Sequence, residues 1–273
     1  MTLQLAGPLL LVGAGKMGGA LLAGWLRHGL DPRSVMVQDP SPPPEAAAMM
    51  ASHGVRVRPR AELPTAPAVI VLAVKPQLVG DVLPTLAPLL GAETVMLSIA
   101  AGRTLANLES FLPPGTAIVR AMPNTPAAIG QGITAACANS EVTPDQARTC
   151  DELLEAVGEV IWLGDEQLMD AVTAVSGSGP AYVFFLAECL AEAGQAAGLE
   201  PELAARLAQG TIAGAAELLR RADLTPAELR ENVTSPKGTT AAALEVLMGK
   251  NGLADLLIRA VAAAAKRSRE LSS

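Results

Sequence analysis

Three glycines at fixed spacing carry the first chemistry in this chain. They lie in Gly13-Ala14-Gly15-Lys16-Met17-Gly18, directly after the apolar run Leu9-Leu10-Leu11-Val12. A strand that runs into G-x-G-x-x-G and then into a helical pattern marks a turn built to cradle a dinucleotide pyrophosphate. Gly13 is expected to allow the tight turn and Gly15 to let a phosphate approach the backbone. Gly18 is expected to let the helix pack on the strand. The helix start adds unpaired N–H groups and a partial positive charge.

An acidic side chain about 20 residues beyond such a loop commonly accepts hydrogen bonds from the adenosine ribose. Asp39 stands at that offset. A carboxylate there favours NADH and repels the 2′-phosphate of NADPH. No Lys or Arg occurs from Pro40 to Ala51 to hold that phosphate. The alternative for Asp39 is a capping or turn role before Pro40. Val74-Lys75-Pro76-Gln77 follows the most apolar strand, and Lys75 is either a ligand contact or a solvated loop lysine. Ser98 to Gly102, with Ala100 at its centre, leaves room for a flat ring. Met122-Pro123-Asn124-Thr125-Pro126 holds a loop between prolines, where Asn124 and Thr125 can hydrogen-bond a carboxamide.

Ser176-Gly177-Ser178-Gly179-Pro180-Ala181 interrupts two helical patterns. A Gly/Ser turn before a helix-opening proline bares N–H groups and hydroxyls, which suits a small carboxylate. The alternative is a helix kink with serine caps. Thr234 to Thr240 opens another helix with hydroxyls. His28 and His53 are isolated. Cys137, Cys150 and Cys189 lack ligand spacing, so no metal site is expected, and reduced buried thiols are the simplest reading.

These residues need a scaffold that sets strand ends side by side. Strands are expected at 9–12, 35–38, 55–57, 68–74, 94–99, 116–121, 133–137 and 160–163. Helical patterns at 16–28, 44–53, 77–90, 105–111 and 144–157 alternate with them. Such alternation predicts a parallel, doubly wound sheet. From Glu166 only helical patterns follow, at 166–175, 180–197, 201–222, 226–232, 239–248 and 253–270. The chain therefore reads as α/β over residues 1–164 and all-α over 165–273. The 273 residues suffice for two domains, and aromatic residues make up only 2%, so alanine and leucine must fill the core. A net charge of −7 argues against nucleic-acid or anionic-membrane partners. No secretory signal or long apolar span is evident, and a cytoplasmic enzyme is expected.

Five segments together resemble the pyrroline-5-carboxylate reductase family over nearly the whole chain. They are Gly13 to Gly18, Val74 to Gln77, Arg120 to Pro126, Ser176 to Tyr182, and Ser235 to Thr240. The resemblance implies a Rossmann-like N-terminal dinucleotide-binding domain and a C-terminal all-α dimerisation domain, in a homodimer or a multiple of dimers. It implies hydride transfer from NADPH or NADH to 1-pyrroline-5-carboxylate, giving L-proline in the last step of proline synthesis. Met122, Pro123 and Asn124 would then lie at the nicotinamide end, and Val74, Lys75, Pro76 and Ala100 are further candidate cofactor contacts. Ser178 and Gly179, within the stretch from Ser176 and Gly177 to Pro180, would hold the substrate carboxylate. Glu166 would lie near the ring nitrogen, and Thr239 and Thr240 would line the pocket.

Two positions depart from the family pattern. Asp39 replaces the small polar residue common in members that use NADPH, leaving Ser41 to meet a phosphate. Lys237 replaces a usual glycine. A β-hydroxyacid dehydrogenase is the nearest rival, but the stretch after Gly179, from Pro180 to Glu192, contains no lysine to take a hydroxyl proton. A non-catalytic dinucleotide sensor would have no use for the second, Ser/Gly site.

Overall fold

The computed structural model describes residues 3–60, 63 and 65–272. It contains an eight-stranded sheet in the order β3-β2-β1-β4-β5-β6-β7-β8. The strands are β1 (Leu9–Val12), β2 (Val35–Gln38), β3 (Arg56–Arg58), β4 (Val69–Leu72), β5 (Val95–Ser98), β6 (Ala117–Met122), β7 (Gly132–Ala138) and β8 (Gly158–Trp162). The helices of this part are α1 (Lys16–Arg27), α2 (Pro44–His53), α3 (Val79–Leu86), α4 (Leu105–Glu109), α5 (Pro144–Glu155) and α6 (Met169–Val172).

The central strands are apolar at every position because both faces of the sheet are covered. Alternate residues serve opposite cores. Leu9, Leu11, Val69, Val71, Val95 and Leu97 pack with Leu21, Leu22 and Trp25 of α1 and with Cys150, Leu153 and Leu154 of α5. Leu10, Val12, Ile70, Leu72 and Met96 pack with Val79, Leu83 and Leu86 of α3. The buried Trp25 ring also donates to the Leu153 carbonyl at 2.8 Å, which ties α1 to α5. Thr143 and Gln146 close a reciprocal capping box at the start of α5.

The sheet departs from the expected all-parallel arrangement at one place. β7 pairs antiparallel with β6, and β8 pairs parallel with β7. Between β6 and β7 lies a short loop with one 3-10 turn, Thr125–Ile129. A parallel return would need a crossover of a dozen or more residues, which α5 provides between β7 and β8. The expected helix over 77–90 is also divided. Pro76–Leu78 and Ala87–Leu89 are 3-10 turns around α3, which itself contains Pro84. Prolines there remove ladder donors and crowd the preceding turn.

Contacts divide the chain into two compact units. One runs through Gly177 and includes the segment from Ala265, and the other is Ser178–Ala264. The division falls beyond the expected boundary at Gly164 because the next residues pack on the sheet unit. Met169 of α6 joins Ala135 and Cys137 in a small core with Met122. The expected helix over 166–175 is a succession of a 3-10 turn at Glu166–Leu168, α6, and a π-helical turn at Thr173–Gly177.

The second unit consists of α7 (Gly179–Ala196), α8 (Pro201–Arg221), α9 (Pro226–Asn232), α10 (Thr239–Leu247) and the first part of α11 (Leu253–Ser272). α7 and α8 approach closely through small residues. A Cβ added at Gly194 would lie 3.3 Å from the Ala204 Cβ. Ala204 and Ala208 are its buried apolar side chains among the described residues, while Phe184, Phe185, Val246 and Ile258 are exposed. The helical run Glu166–Ala196 is long and apolar enough to cross a membrane by length and composition.

Candidate active site

The parallel strands β1, β2, β4, β5 and β6 end on one edge of the sheet, and β1 lies between β2 and β4. Strand order reverses there, so the loops after β1 and β4 diverge and leave a crevice. The glycine loop follows β1. Gly13 has φ +94°, and a Cβ on it would stand 2.7 Å from the Ala73 carbonyl oxygen, so both conformation and space demand glycine. A Cβ on Gly18 would meet the Gly13 carbonyl oxygen at 2.1 Å. Gly15 differs: nothing lies within 4 Å of where its Cβ would be. Its Cα faces open space at the N-terminus of α1, which has no side-chain cap and no acidic residue in its first turn. That open cradle, beside uncapped N–H groups, fits a pyrophosphate.

Asp39 follows β2 and reaches this loop. Its Oδ2 accepts from the Ala14 N–H at 2.7 Å, and its Oδ1 accepts from the Ser41 N–H at 2.8 Å. The carboxylate thus forms a local turn and also fixes the glycine loop. Its backbone N–H donates to the Arg58 carbonyl at 3.0 Å. Arg58 on β3 therefore neighbours Asp39, a proximity that linear spacing concealed.

Lys75 is exposed and opens the turn that leads to α3. Arg103 holds that turn from the next loop, donating to the Pro76 carbonyl at 2.7 Å and to Asn107 Oδ1 at 3.1 Å. Ala100 is buried, and the neighbouring Ser98 hydroxyl accepts from its N–H at 3.4 Å.

At the end of β6, Asn124 is buried and committed to the backbone. Its Oδ1 accepts from the Ile133 N–H at 3.0 Å, and its Nδ2 donates to the Ser176 carbonyl at 3.2 Å. Asn124 therefore braces the loop after β6 against β7 and the π-helical turn, where the sequence suggested a carboxamide contact. Met122 lies against the same turn, since a Cβ on Gly177 would fall 2.7 Å from the Met122 Cε.

Glu166, which the family resemblance sets near a substrate nitrogen, has clear partners within the sheet unit. Its Oε1 accepts from Arg120 Nη1 at 2.6 Å and from the Leu105 N–H at 2.8 Å. It caps α4 and neutralises Arg120, whose side chain is 6% exposed. The pairing could have been foreseen from Arg120 alone, because a cation within the buried strand AIVRAM requires a partner. Nearby, burial pushes the Cys137 thiol up to about 11, aided by Glu166 and opposed by Arg120. Burial pushes Cys150 up to about 12. Both thiols stay protonated and act as apolar fillers. Among the described residues no cluster of three His, Cys, Asp or Glu could hold a metal ion.

The Ser/Gly segment is more helical than expected. Ser176 belongs to the π-helical turn and donates its hydroxyl back to the Val172 carbonyl at 3.1 Å. Ser178 keeps helical angles, φ −87° and ψ −21°, and makes no side-chain cap bond at the start of α7. Gly179 opens α7, Pro180 follows in its first turn, and a Cβ on Gly179 would meet nothing within 4 Å. A π-turn rather than an open loop therefore precedes the candidate carboxylate contacts. In the second unit, Thr239 and Thr240 form the first turn of α10. Lys237 has φ +61°, so it retains the left-handed turn for which glycine is favoured.

Comparison with known proteins gives the same division of labour. Residues 166–271 match the family described as pyrroline-5-carboxylate reductase dimerisation. Residues 9–102 match the family described as NADP oxidoreductase, coenzyme F420-dependent. A pyrroline-5-carboxylate reductase of Pseudomonas aeruginosa is 42% identical over 263 residues, covering 96% of this chain and 95% of that protein. One of Pisum sativum is 40% identical, covering 96% and 94%. The solved structure of the Coxiella burnetii pyrroline-5-carboxylate reductase superposes with a TM-score of 0.91 at 35% identity, over 98% of this chain and 100% of that one. The glycine cradle, the helical segment and full-length similarity at this level agree: the chain belongs to the pyrroline-5-carboxylate reductase family.

Proposed function

We propose that this chain reduces 1-pyrroline-5-carboxylate to L-proline with NAD(P)H. Full-length identity of about 40% to relatives bearing that activity in their names carries the reading. The open cradle at Gly15 supports it from the structure, because it is the shape a dinucleotide requires.

The cyclic imine, protonated on nitrogen, accepts one hydride at its C=N carbon, and the C=N π electrons pass to nitrogen. The nitrogen keeps its proton and becomes the amine, so the reaction needs neither metal nor covalent intermediate. A bound nicotinamide dinucleotide supplies that hydride. The protein's contribution is orientation of two reactants, which alone can supply a large part of a barrier reduction. Gly13 to Gly18 hold the pyrophosphate. Val74, Lys75, Pro76 and Ala100 flank the dinucleotide, and Met122 to Asn124 shape its nicotinamide end. Ser178 and Gly179 are assigned to the substrate carboxylate, and Thr239 and Thr240 to its ring. Glu166 is assigned as a positioning residue through Arg120 and α4, since its Oε1 is already engaged there.

In functional terms residues 1–164 serve the dinucleotide and 165–273 serve substrate and subunit contact. The apolar run Glu166–Ala196 is assigned to a homodimer rather than to a bilayer. The net charge of −7 supports a cytoplasmic enzyme without nucleic-acid partners. The test is NAD(P)H oxidation with 1-pyrroline-5-carboxylate, with product identified as L-proline. Turnover is expected. Its absence, in folded protein that binds the dinucleotide, overturns the assignment.

A further inference from the structure

We propose that Asp39 sets cofactor choice, making this chain prefer a dinucleotide whose adenosine ribose is unphosphorylated, NADH over NADPH. The inference rests on the dinucleotide-binding reading above. Three observations within the sheet unit carry it.

The first is the placement of the charge. Asp39 directly follows β2 at the edge where the crevice opens, and its carboxylate touches the glycine loop itself. The Ala14 and Ser41 N–H groups each engage one of its oxygens. Each carboxylate oxygen has capacity for a second donor, so the pair can still accept ribose hydroxyls. A phosphate on the 2′-oxygen removes one such donor and sets two anions in contact.

The second is the absence of a compensating cation on the same loop. Pro40 to Ala51 contains no Lys or Arg, and the first turn of α2 carries Glu45 instead. The third concerns Arg58, which lies beside Asp39 on the neighbouring strand. Its Nη1 donates to the Val57 carbonyl of its own strand at 3.1 Å, and no ion pair with Asp39 forms among the described residues. The negative charge therefore governs the ribose position.

Calorimetric titration of the full chain with two probes, ADP-ribose and its 2′-phosphate, tests this without turnover. The wild type is expected to bind ADP-ribose at least about tenfold more tightly. Asp39→Asn should narrow that ratio, and so should Ser41→Arg, which adds a cation while leaving the carboxylate in place. Arg58→Ala, which removes a cation beside Asp39, should widen it. The ratio of kcat/KM for NADH over NADPH should move in parallel. Equal or reversed affinities in the wild type overturn the proposal, as does a ratio unmoved in both Asp39→Asn and Ser41→Arg. If Asp39→Asn does not fold, Ser41→Arg decides alone. Failure of folded wild type to bind either probe overturns the dinucleotide reading itself, and the proposal with it.

Discussion

At the scale of single residues, the three loop glycines make a sharp contrast. A methyl group on Gly15 meets no protein atom, and its φ of −66° suits any residue. Gly15→Ala should melt within about 1 kcal/mol of wild type, yet lose most dinucleotide affinity because its methyl enters the phosphate cradle. Gly18→Ala should instead unfold the loop, since its Cβ would overlap the Gly13 carbonyl. Equal binding by wild type and Gly15→Ala, measured by calorimetry, would place the phosphates elsewhere. Glu166→Gln tests the role of the Arg120 partner. It leaves a 6%-exposed guanidinium facing an amide, at a cost of about 2 kcal/mol. On the proposal that Glu166 positions and does not protonate, kcat should keep the shape of its pH profile while the melting temperature falls. A pH limb that disappears in the variant would restore Glu166 to the proton chemistry. The glycines were legible in the sequence because their constraint is local. The need of the buried Arg120 for an acidic partner was legible too, but the choice of Glu166 was not, since 46 residues separate the two and only the fold brings them together.

At the scale of elements, the packing of α5 on the sheet makes stability depend on alkaline pH. Cys150 is on its buried face with Leu153 and Leu154. Its thiol is pushed up to about 12 by burial, with a smaller push from Asp151. A raised pKa means the fold keeps the proton that the unfolded chain releases above its ordinary value near 9. Stability from this site is therefore whole below pH 9 and is lost as pH rises towards about 12. Urea midpoints should fall more steeply over that range in wild type than in Cys150→Ala, and matching slopes would remove the burial argument. The central strands of the first unit were legible as continuous apolar runs, and α5 was legible as the helical pattern over 144–157. The reversal at β7 was not read, because strand direction follows from the connection: a prolyl 3-10 turn in place of a crossover helix. The division of the 77–90 helix was signalled by Pro76 and Pro88, which open the flanking 3-10 turns and which an apolar pattern alone overrides. The π-turn at Thr173–Gly177 has no local signature beyond Gly177, and its Ser176 carbonyl accepts from the distant Asn124.

At the scale of the whole molecule, the two units have different needs. The first buries its strands between two layers and holds the glycine loop on its own core. The second exposes what a soluble helix normally hides. Val183, Phe184, Phe185 and Leu186 occupy a full turn of α7, and all four are exposed, the phenylalanines to 63% and 64%. A helix apolar around its whole circumference must be enclosed. Burial of each such side chain is worth about 1.5–3 kcal/mol, so this turn alone can supply much of a subunit contact. Residues 166–271 match a dimerisation family, which makes a second copy of this chain the expected enclosure. The double variant Phe184→Glu, Phe185→Glu should then dissociate, with light scattering giving the 27.9 kDa of one chain. It should also separate binding from catalysis. Dinucleotide affinity, which belongs to the first unit, should survive within about threefold, since distant changes are close to additive. Turnover should collapse, because the segment that carries Ser178, Gly179, Thr239 and Thr240 loses the surface that orders it. A variant that remains dimeric and fully active would show that this turn of α7 is not the subunit contact. A monomer that retains turnover would show that one chain holds the whole active site.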